Sequence, residues 1–527
     1  MTTVPRFPRL AQHKSDDDNA AIQIFGRRFY KDQTDIEYLV EFLLVFLSPK
    51  TVFDSDVGWG CSLPDREIMA RWPENSTLKY TPEPRLGLKL FSFLGSSKLE
   101  TRHGCHKQHF KQIITTLKER IETEHISKDE VLELLEQLLY GFVGVAANRT
   151  WCTQVYLPVS TRLVACETIW KRVMGNQNPD IQWDNALDDP RGFFTFTQHD
   201  FLARGGEILY LQLCNLIRYF NSPELVAFEE KNKFRKGQAE DAVASVTSGL
   251  NELFQKTSPI DSLCEWIEAA DQQTNRLIKR NPAQCGWCPE ESWKEAYLFA
   301  CEFANICRSS IDPLEKIEML TLCCVLQVLR SLCAQACRYS GTMNDALSDL
   351  GGACGFSWII SPEQLDDPVL KETAKSNLVR VQEVIHGALR HPDIVPSTRT
   401  GANDPEKRGD EQGHELFVSL AKRIGFIIPK TGPGARMVIS DKLLRYLVLA
   451  LIPPGEKRTL QSFEQLMYCY YGMATGGPLL EKAIKWTHPR QKLHMTHSDN
   501  KWLEEDLLAA GFLLPLSDAV SQVTNPF

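Results

Sequence analysis

At 527 residues, with 43% hydrophobic, 24% charged and 9% aromatic residues, the chain is long enough for several buried cores and sits in the globular range. Its net charge of -8 excludes a protein that coats nucleic acid through bulk positive charge and leaves only a local basic face for that role. Sixteen cysteines spread along so long a chain, with no apolar leader in the first 20 residues, read as reduced core thiols of a cytoplasmic protein rather than a secreted disulfide framework.

After a polar segment at 1–30, the residues Ile36, Leu39, Val40, Leu43, Leu44 and Leu47 recur at helical spacing and stop before Pro49, which predicts a first helix. The stretch 86–94 is strongly apolar, and 106–139 reads as two amphipathic helices that meet at Ser127, a capping residue. Together these predict a helical N-terminal domain over 31–147. Residues 148–390 repeat the helical period at 208–220, 293–307 and 317–339 and read as a helical middle domain. The most apolar stretches, 38–47 and 446–452, fall short of the roughly 20 residues of a membrane span, so no membrane contact is expected.

Residues 391–413 hold three prolines, three glycines and only Ile394 and Val395 as bulky aliphatics, a linker composition. Beyond it the pattern changes. A short helix at 415–423 leads to a strand at 426–430, a TGPG turn at 431–434 and a second strand at 437–439. Helical patterns follow at 441–452, 460–471 and 479–486, and the arrangement then recurs as a helix at 500–510 with strands at 512–516 and 520–523. A helix feeding a two-stranded hairpin is how a winged helix ends. The expected fold class is therefore mainly α: a multi-domain helical protein with a winged-helix-like C-terminal domain over 414–527 carrying short β-hairpins.

Three groups of residues are candidates for chemistry. The segment 85–111 holds Arg85, Lys89, Lys98, Arg102, Lys107 and Lys111 against the single acid Glu100, a local reversal of the chain's sign. Gly95, Ser96 and Ser97 offer amides and hydroxyls to a phosphate there, and Phe91 or Phe93 a stacking face; the competing reading is a solvated basic surface. His103, His106 and His109 recur every three residues but match no metal-ligand motif. The second candidate is Cys285-Gly-Trp-Cys288, a C-x-x-C in a loop that supplies two of the four ligands zinc needs, so zinc is the only cofactor entertained and none is predicted outright. The third is the C-terminal domain, whose 13 Lys/Arg exceed its 10 Asp/Glu and where Lys422, Arg423, Lys430 and Arg436 surround the first hairpin.

The sequence contains no G-x-x-x-x-G-K-[ST], H-E-x-x-H or G-x-S-x-G, and no G-x-G-x-x-G after a strand, so the common NTPase, zincin, hydrolase and dinucleotide chemistries lack their machinery. Glu229-Glu230-Lys231 has the composition of a nuclease site but sits in a charged run. His199, Asp200, Arg204 and Glu207 gather where a helix begins and read first as a cap and turn.

The stretches 88–103 (LKLFSFLGSSKLETRH), 194–207 (FTFTQHDFLARGGE), 420–451 and 514–526 resemble accessory proteins encoded in bacterial phage-defence islands. That resemblance implies a defence setting and carries no catalytic residues. The leading expectation is a non-catalytic or regulatory subunit that binds DNA, or a DNA-bound partner, through Lys98, Arg102, Lys107, Lys111, Lys430 and Arg436. Other protein subunits are expected partners. Two alternatives stand beside it: a protein scaffold without nucleic-acid contact, and an enzyme whose site is assembled between domains.

Overall fold

The computed structural model describes residues 4–9, 19–26, 29, 33–53, 55–94, 104–146, 149–170, 182–188, 194–195, 205–256, 258–271, 282–340, 349–364, 367–392, 394, 405–489, 501–517 and 520–527. The fold is mainly helical with small sheets.

Helix α1 (Asp35–Leu47) is closed by the expected grammar: the Glu37 carboxylate accepts from the Thr34 backbone N–H at 2.5 Å and from its hydroxyl at 2.9 Å. It is buried along nearly its whole length, with Glu37 and Glu41 enclosed among its apolar residues. Helices α2 (Leu86–Leu94) and α3 (Gly104–Arg120) build the N-terminal region; α4 (Gly205–Arg218), α5 (Pro223–Asn232) and α6 (Gln238–Lys256) follow. The centre is formed by α7 (Trp293–Arg308) and α8 (Pro313–Tyr339). α1 packs on α4 and α8, α7 lies against α4, α6 and α8, and α8 continues onto α9 (Pro368–Ala388).

The α1–α4 approach is set by Gly206. A Cβ there would lie 2.3 Å from both the Phe42 nitrogen and the Tyr38 carbonyl oxygen, so only glycine lets the two backbones come this close.

α8 departs from the sequence expectation that every apolar stretch is short. By length and composition its 27 residues are apolar enough to cross a membrane, with a mean hydropathy of 1.7 over the most apolar window, yet 89% of that window is buried inside the protein. It serves as the core strut. Arg330 interrupts it, and both nitrogens of its guanidinium fork grip Glu302 of α7 at 2.7 and 2.9 Å, with neither side chain exposed. Gln327 accepts from Arg330 at 2.8 Å and donates to Gln212 of α4 at 2.7 Å, so one polar chain ties three helices.

The region read as a linker holds helix α10 (Pro405–Gln412), which packs on the helix Ala20–Phe25 and on α11 (His414–Arg423). Asn19 donates to Gln412 across this junction at 2.8 Å. Residues 395–404 of the same stretch lie outside the described residues. The composition of 391–413 marks polarity; it does not register the few contacts that hold α10.

Strand β1 (Trp358–Ser361) precedes that stretch but pairs beyond it. In one four-stranded sheet β2 (Ile427–Ile428) is antiparallel to β3 (Arg436–Val438), which runs parallel to β1, with β5 (Met473–Ala474) parallel on β1's other side. The first predicted hairpin is thus absorbed into a sheet and does not project as a wing, because β3 has a neighbour on both edges. A second sheet has the antiparallel order β4 (Lys457–Thr459), β7 (Val520–Thr524), β6 (Leu513–Ser517). Around it lie α12 (Asp441–Leu451), α13 (Leu460–Tyr471), α14 (Gly477–Thr487) and α15 (Lys501–Ala509). The larger cluster of buried apolar residues has members from Val4 to Val523, and a smaller one gathers Ile359, Leu370 and Leu480.

Candidate functional site

The residues singled out by charge fall into three situations. Lys98 and Arg102, with His103, lie outside the described residues, as do His199, Asp200 and Arg204. Lys107 and Lys111 sit one turn apart on α3, the first half-buried and the second exposed. Lys430 is exposed in the β2–β3 turn.

Arg436 and Lys89 belong to the interior. The Arg436 guanidinium donates to the Ser361 hydroxyl at 3.1 Å and the Glu363 carbonyl at 2.6 Å and is buried, so its charge seals the β3–β1 pair instead of facing a phosphate. Lys89 donates to the carbonyls of Cys152 at 3.1 Å and Cys166 at 2.6 Å with no exposure. Burial holds its ammonium below the usual lysine range. Sequence sees a cation; only packing shows which way it turns.

His109 pairs with Asp271 at 3.0 Å and stacks on Trp183 at 3.8 Å, while His106 meets the edge of Trp151 at 5.3 Å; both are buried among neighbours on other elements. Cys285 and Cys288 are buried beside the strands 283–284 and 288–289. Burial pushes the Cys288 thiol up to about 12. Among the described residues no group of three or more His, Cys, Asp or Glu side chains is placed to hold a metal ion. Glu229 accepts from Tyr297 at 3.3 Å and Glu207 from Tyr80 at 2.6 Å, both in buried settings.

Sequence patterns did not reveal what is exposed. At the corner between α15 and β6, Leu508, Leu514 and Leu516 are 54%, 39% and 60% accessible, the reverse of what their type predicts. Glu504, Glu505 and Asp506 fall in succession on α15, the first two one turn before Leu508. The Asp506 carboxyl is raised above its ordinary range by partial burial first and then by the neighbouring Asp441, Glu363 and Glu505. A second bare face lies on the helix Lys128–Tyr140, where Leu134 and Leu138 are exposed one turn apart beside Glu130 and Glu133.

Two larger clefts open among the described residues. One of about 690 Å³ lies against the end of α1 and includes Cys61, Glu83, Arg85, Arg162 and Asp261. Its polar wall is largely satisfied: Asp261 accepts from Thr161 and from the Arg162 amide at 3.0 and 3.1 Å. The other, of about 860 Å³, opens between α5, the start of α7, the loop 351–355 and α13.

No protein family, curated protein or solved structure matches the chain. The geometry of these faces is therefore the basis for a functional reading.

Proposed function

We propose that the chain is a docking subunit of a protein assembly, attached through the acidic, leucine-rich corner of its C-terminal unit. The order α12, β4, α13, α15, β6, β7, with the sheet β4–β7–β6, supports reading this unit as winged-helix-like, with β5 and α14 as an insertion. Winged helices dock on DNA or on protein, and side-chain chemistry decides between them. Here the helix before the hairpin, which would enter a major groove, presents Glu505 and Asp506 to solvent, and DNA phosphates would be repelled. The observation that carries the reading is the trio of bare leucines beside those carboxylates. Exposed apolar side chains beside carboxylates suit a partner contact, and charge complementarity calls for an apolar, basic face on that partner.

The resemblance to phage-defence accessory proteins supplies a setting for such an assembly. Purification of the tagged chain from its own host tests the reading. A stoichiometric partner is expected with the unaltered protein and lost with Leu508→Ser/Leu514→Ser/Leu516→Ser, whose thermal midpoint stays close to the parent's. Equal recovery with both overturns it.

Direct DNA contact is the second reading, favoured by Lys107 and Lys111 on one face of α3. A salt series with duplex and single-stranded DNA separates the two. Steeply salt-dependent binding that Lys107→Ala/Lys111→Ala abolishes supports DNA contact, and no binding at low salt removes it.

A further inference from the structure

The cleft of about 860 Å³ combines a flat aromatic base with a rim of cations. Trp293 lies at its base, buried, stacked by Tyr219 at 4.8 Å and met edge-on by Phe228 at 5.4 Å. The opposite wall is the loop 351–355 with Tyr468 and Cys469 of α13. Gly352 lets that loop lie flat on α13, since a Cβ would stand 2.3 Å from the Tyr468 carbonyl oxygen, and the Ala353 amide donates to the Cys469 carbonyl at 2.8 Å. The Tyr468 hydroxyl donates to the Leu350 carbonyl, so the wall is anchored on both sides of the glycine.

The rim holds Lys231, Lys233, Lys294, Arg338 and Lys482 against Glu224, Glu291 and Asp349. Three of the cations are spoken for: Lys231 pairs with Asp349 at 3.1 Å, Lys294 with Glu291 at 3.3 Å, and Arg338 with Glu295 at 2.7 Å. Lys233 and Lys482 are exposed and, among the described residues, pair with no carboxylate.

Lys233 also occupies a position that does not suit it. It ends α5 in the left-handed conformation, φ 60°, where glycine is the usual residue and any side chain is strained. A strained lysine, unpaired and at the mouth of a cleft, points to a ligand for its charge.

We propose that this cleft binds a nucleoside phosphate, its base against the half-buried Tyr219 ring that Trp293 backs and its phosphate between Lys233 and Lys482. Aromatic faces accept any base, and two unpaired ammonium groups supply the anion's partners. The inference does not depend on the docking role.

Lys233→Gly gives a test that misfolding cannot imitate, because glycine relieves the left-handed strain while removing the charge. Binding of a fluorescent adenosine triphosphate analogue to the full chain is followed by anisotropy, with unlabelled AMP, inorganic phosphate and a thymidine oligonucleotide as competitors. The expected result is saturable binding, displaced by AMP far better than by phosphate. It weakens about tenfold in Lys233→Gly, whose thermal midpoint rises, and further in Lys233→Gly/Lys482→Ala. Displacement by the oligonucleotide but not by AMP would overturn a free nucleotide as ligand. Displacement by phosphate as readily as by AMP would overturn recognition of the base. Absence of binding, or binding unchanged in the double variant, would overturn the site.

Discussion

Arg330 and Glu302 meet at the centre of the molecule with no solvent contact, and Tyr446 and Tyr471 close the same network through a 2.8 Å hydroxyl pair. Two charges in such a place are each other's partner, and the cost of removing one is the stranded charge of the other. Arg330→Met is expected to lower stability by about 3–5 kcal/mol in urea denaturation, and Glu302→Leu/Arg330→Met by less than that, since no lone charge remains. A double variant as damaged as the single one would show that geometry, not charge, matters. The same scale explains which site residues were legible. Lys89 and Arg436 carry charge in the sequence exactly as Lys430 does, but their partners are main-chain carbonyls and a hydroxyl far away in sequence, contacts that composition cannot encode. The three bare leucines were hidden for the opposite reason: apolar residues at helix and strand spacing read as core, and exposure is decided by what packs beside them.

At the level of elements, the helices were largely legible because their periods and caps are local; Ser127, for instance, both accepts from the Glu130 amide and is capped in return. The parallel pairing of β1 with β3 and β5 was not, because strands of two to four residues leave no alternation to read and their partners are distant. Helix α10 shows how weakly such an attachment is written. It is held by Arg390, which donates to both oxygens of Asp410 at 2.8 Å, with His386, His414 and Glu406 around the pair. The hydrogen bonds from Arg390 hold the Asp410 carboxyl below its usual range; burial, followed by Arg390, lowers His386. A lowered histidine means that the unfolded form takes up the proton first, so stability falls as pH drops below about 6.5, and the Asp410 contribution is lost only below about 4. Hydrogen exchange over 405–423, corrected for intrinsic rates, is expected to be faster at pH 5.5 than at 7.5. Unchanged protection would mean that His386 does not sense the junction. Gly206→Ala belongs to this scale too: forcing α1 and α4 apart should cost about 1–3 kcal/mol in urea denaturation, and an unchanged midpoint would contradict the close approach.

Across the whole molecule the larger core cluster draws on residues from Val4 to Val523, and β1 lies on the far side of the 391–413 stretch from the strands it joins. The Asn305 amide of α7 donates to the Ala450 carbonyl of α12 at 2.8 Å, a further tie between the centre and the C-terminal unit. A fragment starting at residue 414 is therefore expected to lack the dispersed amide spectrum of a folded protein; a well-dispersed spectrum would show that it is an independent domain. Among the exposed apolar faces of the described residues is the leucine corner at α15–β6, the proposed docking face. The most direct measurement is site-specific photocrosslinking in the host, with the photoreactive residue placed at Leu508, at Leu516 and at the exposed control position Lys371. Discrete adducts with one protein at 508 and 516, and none at 371, are the predicted result. No adduct at either leucine, or the same adducts at all three positions, would contradict the account.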